Sequence, residues 1–283
     1  MRWRGRRQSE NIEDRRGSRV GRGVVGGGIG TVALVLLAMY FGVDPSVVLR
    51  GVGDQGGPVT DEPYTESELE AEWRGQIAVT LAETEDSWGA IFRELGGEYR
   101  APTLVLFSGA VESACGYAEA AVGPFYCSAD ERAFIDLGFF QELQARLGAG
   151  GDFPRSYVLA HEVGHHVQHL LGISGRVHEL RQRVSEPEGN QLSVRLELQA
   201  DCFAGLWAHH AGRVADILEP GDIEEALDAA SAIGDDTLQR NAGRAVVPDS
   251  FTHGSSAQRQ RWFRRGYDSG KFENCDSFKE ADL

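Results

Sequence analysis

His161-Glu162-Val163-Gly164-His165 is an H-E-x-x-H sequence. On a helix, residues four apart lie one turn apart and about 40° apart around the axis, so both imidazoles can reach one cation. Glu162 lies about 100° from His161, beside the cation but in a different direction. That spacing suits a zinc site with an adjacent general base. Further along, E-L-Q-A-D places Glu197 and Asp201 four positions apart, again on one helical face. Glu197 can supply a third ligand. Asp201 can accept a hydrogen bond from a ligating imidazole and fix its tautomer. Two histidines, one carboxylate and one water make a tetrahedral site with an open position, so the expectation is one Zn2+ per chain with Glu162 as base.

Such chemistry also needs a donor for the oxyanion that develops on the attacked carbonyl. His253, in F-T-H-G-S-S-A-Q-R, is the leading candidate, with Arg259 as an alternative and Tyr157 and Tyr126 as further ones. His166 and His169 follow the motif closely and read as supporting or solvated residues. His209 and His210 end a helical stretch, where positive side chains favour the dipole.

The charge pattern divides the chain. The net charge is −15, yet residues 1–23 carry eight Arg against Glu10, Glu13 and Asp14. Residues 24–43 carry no charge and are apolar apart from glycines and Thr31, and at ~1.5 Å per residue they span a bilayer core of ~30 Å. The expected order is a basic cytoplasmic tip (1–23), a transmembrane helix (24–43), a Gly/Pro-rich linker (44–64) and a zinc-site domain (65–283) outside the cytoplasm. Gly26 and Gly30 form a small-xxx-small pair through which anchors could self-associate. The acidic body lacks the basic footprint of a nucleic-acid binder, so no nucleic-acid partner is expected.

Cys115, Cys127, Cys202 and Cys275 in an exported body imply two disulfides. Three pairings can be written. A short Cys115–Cys127 loop is favoured, with Cys202–Cys275 tying the C-terminal tail to the core. No C-x-x-C zinc pattern is present.

The elements that must carry these residues follow from periodicity. Thr65 to Leu95 has helical spacing, with Thr65 as N-cap and Glu68 behind it. T-L-V-L-F (103–107) and A-F-I-D-L (133–137) read as short strands, and 139–147 as a short helix. Beyond Arg155 the pattern is helical: 157–171, 173–185, 192–211, 223–233 and 255–265, with Pro187 and Gly189 expected to act as breakers.

Y-V-L-A-H-E-V-G-H-H-V-Q-H-L-L-G-I with R-L-E-L-Q-A-D-C-F-A-G-L-W-A resembles the bacterial membrane-anchored neutral zinc metallopeptidase family. F-G-V-D-P-S, G-P-F-Y-C-S-A-D, F-I-D-L-G-F-F and F-T-H-G-S-S-A-Q-R-Q-R-W-F are similar to it too, so the resemblance spans nearly the whole chain. It implies a gluzincin-like peptidase, with zinc on His161, His165 and Glu197 and a peptide or protein substrate. The expected fold class is α+β, a zincin-like domain that is mostly helical with a small mixed sheet, preceded by one N-terminal transmembrane helix. By fold analogy, residues 114–123 are expected to offer a sheet edge to the peptide. Two rival functions use the same residues: an exported zinc-binding interaction protein without turnover, and a zinc amidase acting on cell-wall material.

Overall fold

The computed structural model describes residues 1–17, 64–147, 150–280 and 283. The apolar stretch 24–43, its Gly26/Gly30 pair and nearly all of the 44–64 linker lie outside the described residues. No helix among the described residues is long and apolar enough to cross a membrane.

The fold is α+β and mostly helical. Helix α1 (Glu68–Glu94) starts at Ser67, not Thr65. The Ser67 hydroxyl accepts from the Glu70 amide at 3.2 Å and the Glu70 carboxylate accepts from the Ser67 amide at 2.9 Å, a reciprocal cap shifted two residues along. Its apolar stripe buries Trp73, Ile77, Leu81, Trp88 and Phe92.

A four-stranded mixed sheet has the order β1-β2-β6-β5. Strand β1 (Ile12–Asp14) runs parallel to β2 (Thr103–Phe107), with Ile12 opposite Leu104 and Asp14 opposite Leu106. Strand β6 (Arg132–Asp136) is parallel to β2, and β5 (Phe125–Cys127) closes the other edge antiparallel to β6. A separate hairpin joins β3 (Ala110–Ser113) to β4 (Gly116–Glu119). The stretch 114–123 holds the hairpin turn and β4, so the edge it offers belongs to the two-stranded hairpin and not to the main sheet, whose edges are β1 and β5. The Cys115–Cys127 disulfide fastens the hairpin turn to β5.

Helix α2 is Gly138–Leu147 and α3, bearing the H-E-x-x-H residues, is Phe153–Leu170. Short α4 (Ile173–Arg181) leads to long α5 (Glu186–Arg213). Pro187 and Gly189 do not break α5. They sit in its first turn, where a missing N–H costs nothing, behind a reciprocal cap made by Ser185 and Glu188. Helices α6 (Asp222–Ala232), α7 (Asp235–Asn241) and α8 (Ser256–Ser269) follow, and α7 was not anticipated.

Helices α5 and α8 cross so closely that only glycine fits. A methyl group at Gly205 would lie 1.9 Å from the Phe263 carbonyl oxygen, and one at Gly266 would lie 2.0 Å from that of Cys202. The Cys202–Cys275 disulfide lies beside this crossing. Trp88, Phe153, Tyr157, Phe203, Trp207, Trp262 and Phe263 fill the core between α1, α3, α5 and α8.

The basic N-terminal residues do not stand apart from this domain. Besides contributing β1, they place Arg6 3.1 Å from Glu83, Arg7 3.0 Å from Glu85 and 2.8 Å from Asp86, and Arg16 2.8 Å from Glu66. Trp3 packs on Gly75 of α1, and the Met1 ammonium lies among Asp152, Glu219 and Asp222.

Candidate metal centre

Helix α3 turns its apolar residues Leu159, Val163 and Val167 into the core, which leaves His161 and His165 on the flank that meets α5. Gly164 sets the approach: a methyl there would meet the Ala200 carbonyl oxygen at 3.0 Å. The two helices thus pass backbone to backbone at Ala200, which lies between Glu197 and Asp201 in the sequence.

His161 Nε2 lies 3.1 Å from His165 Nε2 and 3.1 Å from Glu197 Oε2, and His165 Nε2 lies 3.4 Å from Glu197 Oε1. The far side of each ring is occupied. His161 Nδ1 is 2.9 Å from Asp201 Oδ1, so it donates to a carboxylate. His165 Nδ1 is 2.9 Å from Gln168 Oε1, and the Gln168 amide is oriented by its own donation to the Leu196 carbonyl at 2.6 Å. Both rings therefore carry their proton on Nδ1 and present bare Nε2 lone pairs to one point, where Glu197 adds carboxylate oxygens.

Lone pairs held this close repel unless something positive lies between them. Zinc–nitrogen and zinc–oxygen bonds of ~2.0–2.1 Å put tetrahedral ligand atoms about 3.3 Å apart, which matches the spacing of this trio. The donor set fits a divalent ion. A second acidic group, Asp152 with Asp222 and Glu225, is also close enough to hold an ion, but Asp152 and Asp222 already hold the Met1 ammonium.

Asp201 is fully buried and has no spare capacity. It accepts from His161, from the Tyr157 hydroxyl at 2.6 Å, and from Arg259 at 2.8 and 2.9 Å. Burial alone would raise its carboxyl, but Arg259 and His161 outweigh that and hold it at about 2. Arg259 is itself buried and also donates to the Tyr157 hydroxyl at 3.2 Å.

These bonds give partners to three of the residues offered as alternative oxyanion donors. Arg259 and Tyr157 both donate to Asp201. Tyr126 donates to His166 Nδ1 at 2.8 Å, while His166 Nε2 donates to the Arg100 carbonyl at 2.6 Å, so this pair joins β5 to α3. His169 faces Glu131 at 3.4 Å.

Glu162 is buried beside the trio, and burial pushes its carboxyl up while His165 and His161 pull it down. His253 sits on the loop before α8, half-exposed, with Nδ1 3.2 Å from Asp235 Oδ1. Asp235 also accepts the backbone amides of Thr252, His253 and Gly254 at 2.7–3.0 Å, which fixes the loop. The bond to Asp235 raises the His253 imidazole above its ordinary value against the effect of burial, and Glu197 adds to the rise. The His253 Nε2 is the ring nitrogen opposite the Asp235 contact.

Sequence reasoning passed over Gln168 and Gly164. Gln168 stands one turn beyond His165, a spacing that marks it as a neighbour on the helix face. Nothing local marks Gly164, because its partner is backbone on another helix.

The α+β fold thus carries H-E-x-x-H on α3 and a converging glutamate on α5. The chain belongs to the family described as "Putative neutral zinc metallopeptidase", whose pattern it matches over residues 1–278. It is 48% identical to the uncharacterized protein YpfJ of Escherichia coli K12, over 99% of this chain and 100% of that one. It is 42% identical to the uncharacterized protein Rv2575 of Mycobacterium tuberculosis H37Rv, over 87% of this chain and 86% of that one. No solved structure matches it.

Proposed function

We propose that the chain is a zinc-dependent peptidase whose single Zn2+ is held by His161, His165 and Glu197. The observation that carries this reading is the trio of lone-pair donors 3.1–3.4 Å apart, with both opposing ring nitrogens already hydrogen-bonded. A bound zinc ion supplies Lewis-acid activation of water and of the substrate carbonyl. Glu162 takes the proton from the attacking water and returns it to the leaving amine, a role suited to a buried carboxyl whose affinity for protons is raised. Asp201 and Gln168 hold the imidazoles in the ligating tautomer. The His253 imidazolium donates to the carbonyl oxygen as negative charge develops there. Two disulfides among the described residues support a working place outside the cytoplasm. Attachment to a membrane through residues 24–43 completes the proposal.

The test couples metal analysis of the purified full chain to digestion of a peptide library and of cell-wall fragments. Wild type is expected to hold one zinc ion and to cleave peptides. Glu162→Gln is expected to keep the metal and lose cleavage. Equal cleavage by both forms overturns the role of Glu162. Metal without any turnover favours a binding protein, and release of wall fragments alone favours an amidase.

A further inference from the structure

The C-terminal tail reaches the metal centre through two buried amides. His165 Nδ1 donates to Gln168 Oε1 at 2.9 Å, Gln168 Nε2 donates to Gln199 Oε1 at 3.2 Å, and Gln199 Nε2 donates to the Cys275 carbonyl at 3.0 Å. Both glutamines are shut away from solvent. The relay has one direction. A backbone carbonyl can only accept, so Cys275 takes an amide hydrogen from Gln199 and turns the Gln199 oxygen toward Gln168. Gln168 then offers its own oxygen to His165, and its donation to the Leu196 carbonyl at 2.6 Å agrees with that sense. Turning either amide over would set oxygen against oxygen in a buried place, at the cost of unpaired acceptors.

The carbonyl at the far end is itself fastened. Cys275 closes a short helical turn, Phe272–Cys275, and its buried side chain is joined to Cys202 of α5. Phe272 stacks on Phe203 of α5 with ring centroids 5.5 Å apart. Just beyond, the Ser277 hydroxyl donates to the Arg195 carbonyl at 2.6 Å, and the Arg195 guanidinium donates to the Glu280 carbonyl at 2.9 Å. We infer that the tail, residues 272–280, is a positioning element of the metal centre: the Cys275 carbonyl, acting through Gln199 and Gln168, fixes His165 in the tautomer that offers its Nε2 lone pair to the ion. Gln199 is a positioning residue, since it touches His165 only through Gln168. The inference rests on the zinc reading given above and adds a condition to it. The acceptor is pinned by a disulfide, so the oxidised chain holds zinc more tightly than the reduced one. A dithiol that gives two electrons and two protons to the Cys202–Cys275 bond, becoming a disulfide itself, leaves two thiols and frees Cys275 from α5.

The test uses the full chain, isotope-labelled in its histidine nitrogens. The His165 tautomer is read by NMR in the metal-free form, and zinc affinity by competition with a chelator of known strength. Wild type is expected to carry the His165 proton on Nδ1 before any zinc is added; a proton on Nε2 overturns the inference. Gln199→Leu keeps the bulk but neither donates nor accepts. It is expected to give a mixture of the two tautomers and to bind zinc ~10-fold more weakly. Cys202→Ala/Cys275→Ala, which stands in for the reduced chain, is expected to move both readouts in the same direction. A tail that only stabilises the fold would lower the melting temperature of these variants and leave tautomer and affinity as in wild type, and that result overturns the inference. Wild type that binds no zinc overturns the zinc reading instead, and the metal-free tautomer still decides the relay.

Discussion

Gln168 accepts the Nδ1 proton of His165 at 2.9 Å, one helical turn further along the same helix. The neutral amide does for His165 what the Asp201 carboxylate does for His161. Gln168→Leu removes the acceptor and lets the ring change tautomer. Zinc affinity, read by competition with a chelator of known strength, should fall ~10–100-fold. Gln168→Glu keeps an acceptor and should stay near wild type.

Arg259 neutralises Asp201 in a space closed to water. Arg259→Met leaves the Asp201 carboxylate facing only His161 and Tyr157. Denaturant unfolding should show a loss of about 3–5 kcal/mol, the usual cost of breaking one side of a buried pair. Doubling the change with Asp201→Asn should recover part of that loss.

The pH profile should carry the signature of the His253–Asp235 pair. Asp235 raises the imidazole, so the protonated donor is present at low pH and is lost as pH rises through a value above 6.5. The alkaline limb of kcat should report this group. Asp235→Asn removes the carboxylate and should move the limb to lower pH, while His253→Ala should abolish it and lower kcat by ~10²–10³ with zinc content unchanged. An unaltered limb in both variants would remove His253 from the mechanism.

The helix crossing at Gly205 and Gly266 has no room for a side chain. Either residue changed to Ala should cost about 1–3 kcal/mol or more in thermal or denaturant unfolding, because the clash is with backbone that cannot rotate away. Gly164→Ala meets the Ala200 carbonyl oxygen at 3.0 Å and should weaken zinc binding as well, since it separates the two helices that carry the ligands.

The Cys202–Cys275 bond closes a loop of sequence separation 73. Replacing both cysteines with Ala should lower stability by roughly 4 kcal/mol on the chain-entropy account. Cys115–Cys127, with a separation of 12, should matter less to global stability.

The sequence displayed His161, Glu162 and His165 openly because their spacing is a property of one helix. Glu197 and Asp201 were legible for the same reason, as a pair at helical spacing. What joins the two sets is tertiary and was not legible: the backbone approach at Gly164, and the reach of Arg259 from α8 into the site. Arg259 looked like a free donor because nothing local reveals that Asp201 lies against it. Pro187 looked like a breaker because its effect depends on whether it falls in the first turn or the interior of a helix. Strand β1 was hidden inside a run of arginines, where charge masks a three-residue strand whose partner lies far along the chain.

That strand has a consequence for solubility. T-L-V-L-F in β2 is nearly all buried and is rich in β-forming residues, the composition of a segment prone to aggregate. Its open side is covered by Ile12–Asp14, a short segment that leaves Glu13 and Asp14 on the outer rim, where charge discourages a further strand from another molecule. A chain cut after Asp14 would keep its zinc ligands and expose a bare hydrophobic edge, so misassembly between copies would limit the yield of truncated protein before loss of chemistry did.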